Sequence, residues 1–496
     1  MFSNAFRIFL LLVLMATSAT FANESAYRIE VNIDKFKDNV IYLGYPYGDK
    51  KYLADTATAT QPGVFVFEGS KALDGGLYFI YSPKNLYFDL VVAEPEFTLS
   101  TDTLDYIEHM QVEGSLENEV FFDFQRFMRK KQKEAAALSE KHKNSSDEAE
   151  KSAINEKLEA LDTEVNAYRN QIFEKYPNTF TAKFIKSTLP IEVPEAPKNE
   201  SGEAVDPNFA YQYYKKHFFD HIDFSDPKML RTPNFHGKIE EYLEKLTVKH
   251  PDSIIASAHT IIEKARANKE VFRYCVVNIT YKYETSNIMG MDAVFVDLSE
   301  SYYLSGDAFW ADSTLTAKIA DRVDRIKPNL IGKTAPSMNL VDTLMRPRSL
   351  SGIKAGFIVL YFYDPDCGHC KKKTPELLEL YNNTLKEMGV EVVATDIKKD
   401  VEDWKKYVRT NKLNWINLSD PQVRSNFRYE YNIETTPQIY ILDEHKKIIA
   451  KKLDVEQIED FIRKQIEFKE KRAKPRLGDL LVFLSILPCV GVYSSF

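Results

Sequence analysis

The apolar run Phe357-Ile358-Val359-Leu360-Tyr361-Phe362-Tyr363 is followed, after Asp364-Pro365-Asp366, by Cys367-Gly368-His369-Cys370 and then by the helix-forming stretch 371–381. Seven apolar or aromatic residues without alternation are the pattern of a strand buried on both faces, as in a parallel sheet. The CxxC therefore sits at a strand-to-helix turn, with Cys367 at the helix N-terminus. Unpaired backbone N–H groups and the helix dipole favour an anion there. Because the thiolate is the reactive form, this placement lowers the pKa of Cys367 and makes it the nucleophile. Cys370, one turn on and more buried, is the resolving thiol. A CxxC is also half of a zinc site, but of the four cysteines the other two, Cys275 and Cys489, are solitary. No second ligand pair is present to close a tetrahedral site, and no metal is assigned.

Outward from this turn, residues 331–468 alternate strand and helix and read as one α/β domain of ordinary size. Pro375 lies five residues after Cys370, and Thr435-Thr436-Pro437-Gln438-Ile439-Tyr440-Ile441-Leu442 places a proline just before an apolar strand. Residues 390–394 supply another strand, 401–412 a helix, and 448–452 with 456–466 a closing strand and helix. In these motifs the segment resembles the exported TlpA/ResA-like thioredoxin-fold thiol-disulfide oxidoreductases of the AhpC/TSA-redoxin superfamily. The resemblance implies a kink at Pro375 and a cis-proline at Pro437 facing the CxxC. It makes Thr436 and Pro437 substrate-contact candidates, with the backbone before the proline open to an incoming peptide. The Gly368-His369 dipeptide resembles that of protein disulfide isomerases, in which the histidine stabilises the thiolate and raises the potential; both residues are redox-tuning candidates. The sequence also departs from the family. Asp366 replaces the tryptophan that commonly precedes the first cysteine, Tyr361 occupies the place of thioredoxin's buried acid, and Lys373 stands where exported reductases carry a glutamate. The proton acceptor for Cys370 is thereby left unassigned, and Asp364 and Asp366 are expected to oppose the thiolate.

Upstream, residues 27–103 form short β-rich runs at 27–31, 40–43, 64–67, 77–81 and 88–92. Turn signals at Gly48-Asp49, Pro62-Gly63 and Gly75-Gly76 separate them. The fold class expected is multidomain. An N-terminal antiparallel β domain (23–113), a sandwich or open barrel, precedes an α-helical middle domain (114–330) and a C-terminal α/β thioredoxin-like domain (331–470). Within the middle segment a long helix opening at Phe121, Phe122, Phe124 and Phe127 breaks near 143–147. It returns as a second helix over 148–176, the pattern of an antiparallel hairpin. Residues 190–207 read as a proline- and acid-rich linker, and helices resume at 209–219, 238–246, 251–267, 269–284 and 314–325. The β-rich and helical segments together resemble those that precede a thioredoxin module in certain exported bacterial proteins.

The ends set the compartment. Arg7, the apolar run 8–15 and the small residues ending Thr20-Phe21-Ala22 read as a secretory signal peptide over 1–22. Its apolar core is far shorter than the ~20 residues a membrane span needs. No cysteine precedes Cys275, so the lipid-attachment cysteine of a lipoprotein is missing and a soluble periplasmic protein is expected. Residues 471–496 form an apolar tail, either weakly membrane-associating or frayed. A formal charge of −8 argues against bulk binding to nucleic acid.

The function expected is thiol-disulfide exchange between the CGHC pair and exported client proteins. Cys367 and Cys370 are the catalytic residues, no cofactor is required, and a membrane or periplasmic thiol partner handles the electrons. Two alternatives stay open: a thiol peroxidase of the same superfamily, and a non-catalytic envelope binding protein with a redox-sensitive disulfide. The peroxidase chemistry of that superfamily uses a threonine three residues before the attacking cysteine, where this chain has Asp364. Three weaker signals are read as structural. His217 and His221, four apart on an expected helix, lack a third ligand. The aromatic cluster from Phe209 to Phe219 reads as core, and Cys275 as a buried free thiol.

Overall fold

A computed structural model describes residues 25–83 and 86–473 of the chain. The expected signal peptide and nearly all of the expected apolar tail lie outside those residues. The chain divides into two units, one of residues up to 249 with 256–275, the other of 250–255 with residues from 276 onward.

In the first unit the strands are β1 (Tyr27–Asp34), β2 (Val40–Tyr47), β3 (Lys50–Thr58), β4 (Val64–Gly69), β5 (Gly76–Ser82), β6 (Leu86–Val92), β7 (Glu96–Asp102) and β8 (Gln111–Glu113). They form two four-stranded sheets, ordered β4-β1-β7-β8 and β3-β2-β5-β6. Alternation decides which side chains face inward: Tyr27, Ile29, Val31 and Ile33 of β1 are buried and their neighbours are not. In register with them lie Phe65 and Phe67 of β4 and Phe97 and Leu99 of β7. The expectation of an antiparallel domain needs one correction, because β1 and β7 pair in parallel. Period-2 patterning specifies a strand's buried face and leaves the direction of its partner open.

The helical hairpin is present as Leu116–Asn144 and Glu148–Lys175, with Phe127 stacked on Tyr168 at 4.1 Å. Its root is pinned by two adjacent polar residues. Asn118 exchanges hydrogen bonds with the backbone of Val91 in β6 (2.7 and 2.8 Å). The buried Glu117 carboxylate accepts from the N–H groups of Phe180 and Thr181 (2.7 and 2.8 Å) at the start of the helix Phe180–Ser187. An acid at a helix N-terminus satisfies orphan donors and complements the dipole. Further helices follow at Phe209–His217, Pro233–Glu244, Pro251–Ala265 and Lys269–Glu284.

The second unit is built on a seven-stranded sheet of β9 (Asn339–Asp342), β10 (Pro347–Ser349), β11 (Phe357–Tyr363), β12 (Val390–Asp396), β13 (Ile416–Ser419), β14 (Gln438–Asp443) and β15 (Ile448–Lys451). The order is β10-β9-β13-β12-β11-β14-β15, with β11 parallel to β12 and antiparallel to β14. Every residue of β11 is buried, which explains its unbroken apolar run. Phe357, Val359, Tyr361 and Tyr363 pack in one core with Cys370 and Leu377 of the active-site helix, while Ile358, Leu360 and Phe362 join Phe427 and Tyr431 on the other side. Residues 276–330, read from their helical period as part of the middle segment, fall in this unit. There the side chain of Asn329 donates to the Glu430 carbonyl at 2.9 Å, and the buried Lys451 donates to Asn329.

Candidate active site at the Cys367-Gly368-His369-Cys370 turn

Strand β11 ends at Tyr363 and the chain turns through Asp364 to the helix Gly368–Leu380, with Cys367 as its N-cap residue. The turn is closed by the Cys367 N–H donating to the Asp364 carbonyl (3.1 Å) and the Lys371 N–H donating to the Cys367 carbonyl (3.0 Å). Pro375 lies inside the helix and has no N–H to offer the preceding turn. Gly368 keeps ordinary helical φ, and a Cβ there would meet no atom within 4 Å. Backbone strain does not require glycine at this position; its effect is to leave open space beside the nucleophile.

The two thiols sit in opposite environments. Cys367 is half-buried and its Sγ donates to the Thr436 carbonyl at 3.3 Å. Its pKa is lowered, first by the backbone N–H of Cys370, with Thr436 and the His369 N–H adding to the effect against some burial. Cys370 exposes no surface, accepts from the Asp364 N–H at 3.5 Å, and is pushed up to about 11 by burial. Both thiols are free. The Thr436–Pro437 peptide is cis. Thr436, Pro437 and the exposed His369 line a groove of about 670 Å³ with Lys373, Glu434 and Lys452.

The acids flanking the turn are not left to oppose the thiolate unscreened. Lys398, just beyond β12, pairs with Asp364 (3.3 Å) and with Asp366. That hydrogen bond and charge hold the Asp366 carboxyl below its ordinary range. Lys373 is ion-paired with Glu456 (2.6 Å), Glu376 (3.0 Å) and Asp454 (3.0 Å), which raise its pKa. It ties the active-site helix to the start of the helix Val455–Ala473 and is poorly suited to exchange a proton with Cys370. Tyr361 is buried, its hydroxyl 2.9 Å from that of Thr374.

The sequence reading overlooked two residues here, Asp396 and Lys398. Asp396, the last residue of β12, is fully buried, and burial pushes its carboxyl up to about 6. A signal for it existed: Val390, Val392 and Ala394 line the core that holds Cys370, and an acid two residues further stays in phase with them.

The other signals resolve differently. The helix expected to carry both histidines ends at His217, which pairs with Asp220 at 2.6 Å, while His221 lies in the following turn 3.4 Å from the Leu189 carbonyl. Among the described residues no group of three or more His, Cys, Asp or Glu is arranged to hold a metal. Of the aromatic cluster, Phe218 and Phe219 are core and Tyr211 is exposed. Cys275 is buried, and burial raises its thiol pKa.

A sheet with a central parallel pair, a CxxC at a helix N-terminus and a cis-proline beside it define a thioredoxin-like domain. Residues 331–451 match the model of the AhpC/TSA family, so the C-terminal part of the chain carries a domain similar to it. Residues 27–121 match the model described as Domain of unknown function (DUF4369), and residues 129–331 that of Domain of unknown function (DUF5106). A curated relative, probable nucleoredoxin 1 of Arabidopsis thaliana, is 31% identical over 103 residues, which cover 20% of this chain and 17% of that protein. The chain thus matches about a sixth of that relative's length. Among solved structures, a domain of possible thiol-disulfide isomerase from Cytophaga hutchinsonii is 34% identical, covering 29% of this chain and 97% of that one, with a TM-score of 0.28. A thioredoxin-like protein from Bacteroides caccae is 18% identical over 55% of this chain and 98% of that one, with a TM-score of 0.44. A thiol:disulfide interchange protein from a Bacteroides species is 28% identical over 27% and 88%, with a TM-score of 0.25.

Proposed function

We propose that this protein exchanges dithiol and disulfide with exported client proteins in the periplasm through Cys367 and Cys370. Cys367 attacks a client disulfide to form a mixed disulfide, and Cys370 resolves it; oxidation of clients runs the same steps backwards. The observation that carries this reading is the asymmetry of the pair. One thiol is half-buried at a helix N-terminus with a lowered pKa, and its neighbour is fully buried with a pKa pushed up to about 11. Such a pair attacks with the first sulfur and holds the second in reserve. Thr436 and Pro437, beside the groove of about 670 Å³, are the client-contact residues. The pair draws on a membrane or periplasmic thiol partner for electrons, and the two upstream segments orient clients or that partner.

The test is a Cys370→Ser variant of the secreted chain, expected to accumulate mixed disulfides with envelope proteins that a reductant releases. Cys367→Ser is expected to trap none and to lose disulfide reductase activity on insulin by at least about 10³-fold, since no nucleophile remains. Peroxide consumption without protein thiol exchange would point to the peroxidase alternative, and an unperturbed Cys367 with no turnover to the binding-protein alternative. A reduction potential near about −270 mV would assign a reductase, and one near about −150 mV an oxidant or isomerase.

A further inference from the structure

The face of the sheet beneath the active-site helix carries a strip of polar groups. Val390, Val392 and Ala394 of β12 pack on that face with Cys370, and the period of two continues to Asp396. Asp396 pairs in parallel register with Tyr363, and the next N–H, that of Ile397, donates to the Tyr363 carbonyl at 3.0 Å. One residue past Tyr363 is Asp364, whose N–H rests on the Cys370 sulfur. On the same face the Tyr361 and Thr374 hydroxyls are 2.9 Å apart, and Trp404 Nε1 donates to the Tyr363 hydroxyl at 3.1 Å. Tyr407 packs against the same core as Cys370, and burial raises its hydroxyl pKa while Thr374 opposes the shift.

Asp396 exposes no surface in this state; its Oδ1 accepts from the Lys398 N–H at 3.1 Å, and its Oδ2 has no hydrogen-bond partner among the described residues. A buried carboxylate with an open oxygen is costly and is a ready proton acceptor. Asp396 and Tyr407 form part of the wall of a cavity of about 490 Å³ that Pro365 and Lys371, on either side of the CxxC, also line. Tyr407 thus lines the space next to Asp396 and packs against the core that holds Cys370.

We propose that Asp396 is the proton relay for Cys370. This rests on the exchange reading above. In the resolving step the Cys370 thiol proton passes along the Tyr407 side of this cavity to the Asp396 carboxylate. The Cys370 sulfur then attacks the Cys367 sulfur of the mixed disulfide. A Cys367–Cys370 bond forms, the bond from Cys367 to the client sulfur breaks, and the client leaves as a thiolate with that electron pair. When the pair is reduced again, Asp396 returns the proton to Cys370. Because Asp396 touches neither sulfur, it acts as a positioning residue. Burial first, and then the charge of Asp364, raise its pKa to about 6 against the Lys398 hydrogen bond, close to the pH at which a relay is most effective. The groups facing it are Tyr363 of β11, Asp364 of the turn, Lys398 on its own loop and Arg428 of the helix Phe427–Glu430. Across the cavity stand Asp366 and Lys371 from the CxxC turn and helix, Asp400, and Asp403, Lys406 and Tyr407 from the helix Val401–Thr410.

Stopped-flow reaction of the reduced full chain with Ellman's reagent, in a Cys489→Ser background, separates the two steps. The first release of thionitrobenzoate reports attack by Cys367, the second resolution by Cys370. In the otherwise unaltered chain the second phase is expected to rise with a group titrating at about 6 and to be level from about pH 7 to 9. Asp396→Asn should slow that phase about 10²-fold at pH 7, make it climb with pH between 7 and 9, and leave the first phase unchanged; Asp396→Glu should restore most of the rate. A second phase in Asp396→Asn with the parent rate and profile overturns the proposal. Should that variant not fold, the parent profile still decides: a second phase that climbs about tenfold per pH unit from 6 to 9, as direct titration of Cys370 requires, overturns the relay. A missing first phase in the parent chain overturns the exchange reading itself and the relay with it.

Discussion

Cys367 and Cys370 are three residues apart, yet one helix turn and the edge of a core separate their chemistry. The charges around the first of them are balanced by Lys398, which faces both Asp364 and Asp366. Lys398→Gln removes that cation and leaves two acids beside the sulfur, so the thiolate becomes less favoured. Iodoacetamide alkylation of Cys367 at pH 7 is expected to slow about two- to fivefold, the scale of an exposed charge pair. The reduction potential should become more negative, because the reduced form loses thiolate stabilisation; an unchanged alkylation rate would show that Lys398 has no part in poising the site. The same scale holds a stability prediction for Asp396, whose folded pKa of about 6 lies above the ordinary carboxylate value of 3.8. The folded state therefore binds the proton more tightly than the unfolded one, and its stability falls as pH rises from about 4 through about 6. Above that window the full penalty, about 3 kcal/mol, is in place. Asp396→Asn carries no such charge. Urea unfolding should find it about 3 kcal/mol more stable than the parent at pH 7.5, with the gap closing toward pH 4. A variant that gains stability while losing resolving rate would mark Asp396 as a group held for chemistry.

At the scale of elements, legibility in the sequence followed how locally each element's cause is encoded. Strand β11 is buried at every position, so its unbroken apolar run announced it, and the CxxC next to it fixed the place of both thiols. The helical hairpin was equally plain, since its break at Ser145 to Asp147 carries its own cap, Asp147 accepting from the Ala149 N–H. Strands β9, β10 and β13 have only three or four residues, too few for periodicity to register, and they are held by the neighbours they pair with. The parallel pairing of β1 with β7 joins residues some 68 positions apart, such as Arg28 with Glu96, and no local pattern encodes it. The site shows the same division. Cys367 and Cys370 could be found from the chain alone. Thr436 and Pro437 came only through family resemblance, because nothing local says that a loop 69 residues on meets the Cys367 sulfur. Asp396 and Lys398 were overlooked because an acid and a lysine at a strand end resemble ordinary turn residues until the parallel register brings them beside Tyr363.

At the scale of the whole molecule, the thioredoxin-like sheet does not close its unit alone. Lys451, on the edge strand β15, is buried at 3% exposure; it pairs with Asp292 of the helix Asp292–Leu298 and donates to the Asn329 carbonyl (2.9 Å) and Oδ1 (3.0 Å). Burial lowers its pKa while Asp292 opposes the shift. Residues 276–330 are thus bound to the α/β sheet through a buried ion pair as well as by packing. Removing one partner of such a pair leaves an uncompensated charge in the core, whereas replacing both partners by apolar side chains of similar volume does not. Asp292→Ala is therefore expected to destabilise this unit by about 3–5 kcal/mol, and the double variant Asp292→Leu with Lys451→Met by less than about 1 kcal/mol. The chain's three tryptophans, Trp310, Trp404 and Trp415, all lie in this unit, so fluorescence-detected urea unfolding reads it directly. Equal losses in the single and double variants would mean that the pair contributes through packing and hydrogen bonds alone, and that charge plays no part in joining residues 276–330 to the sheet.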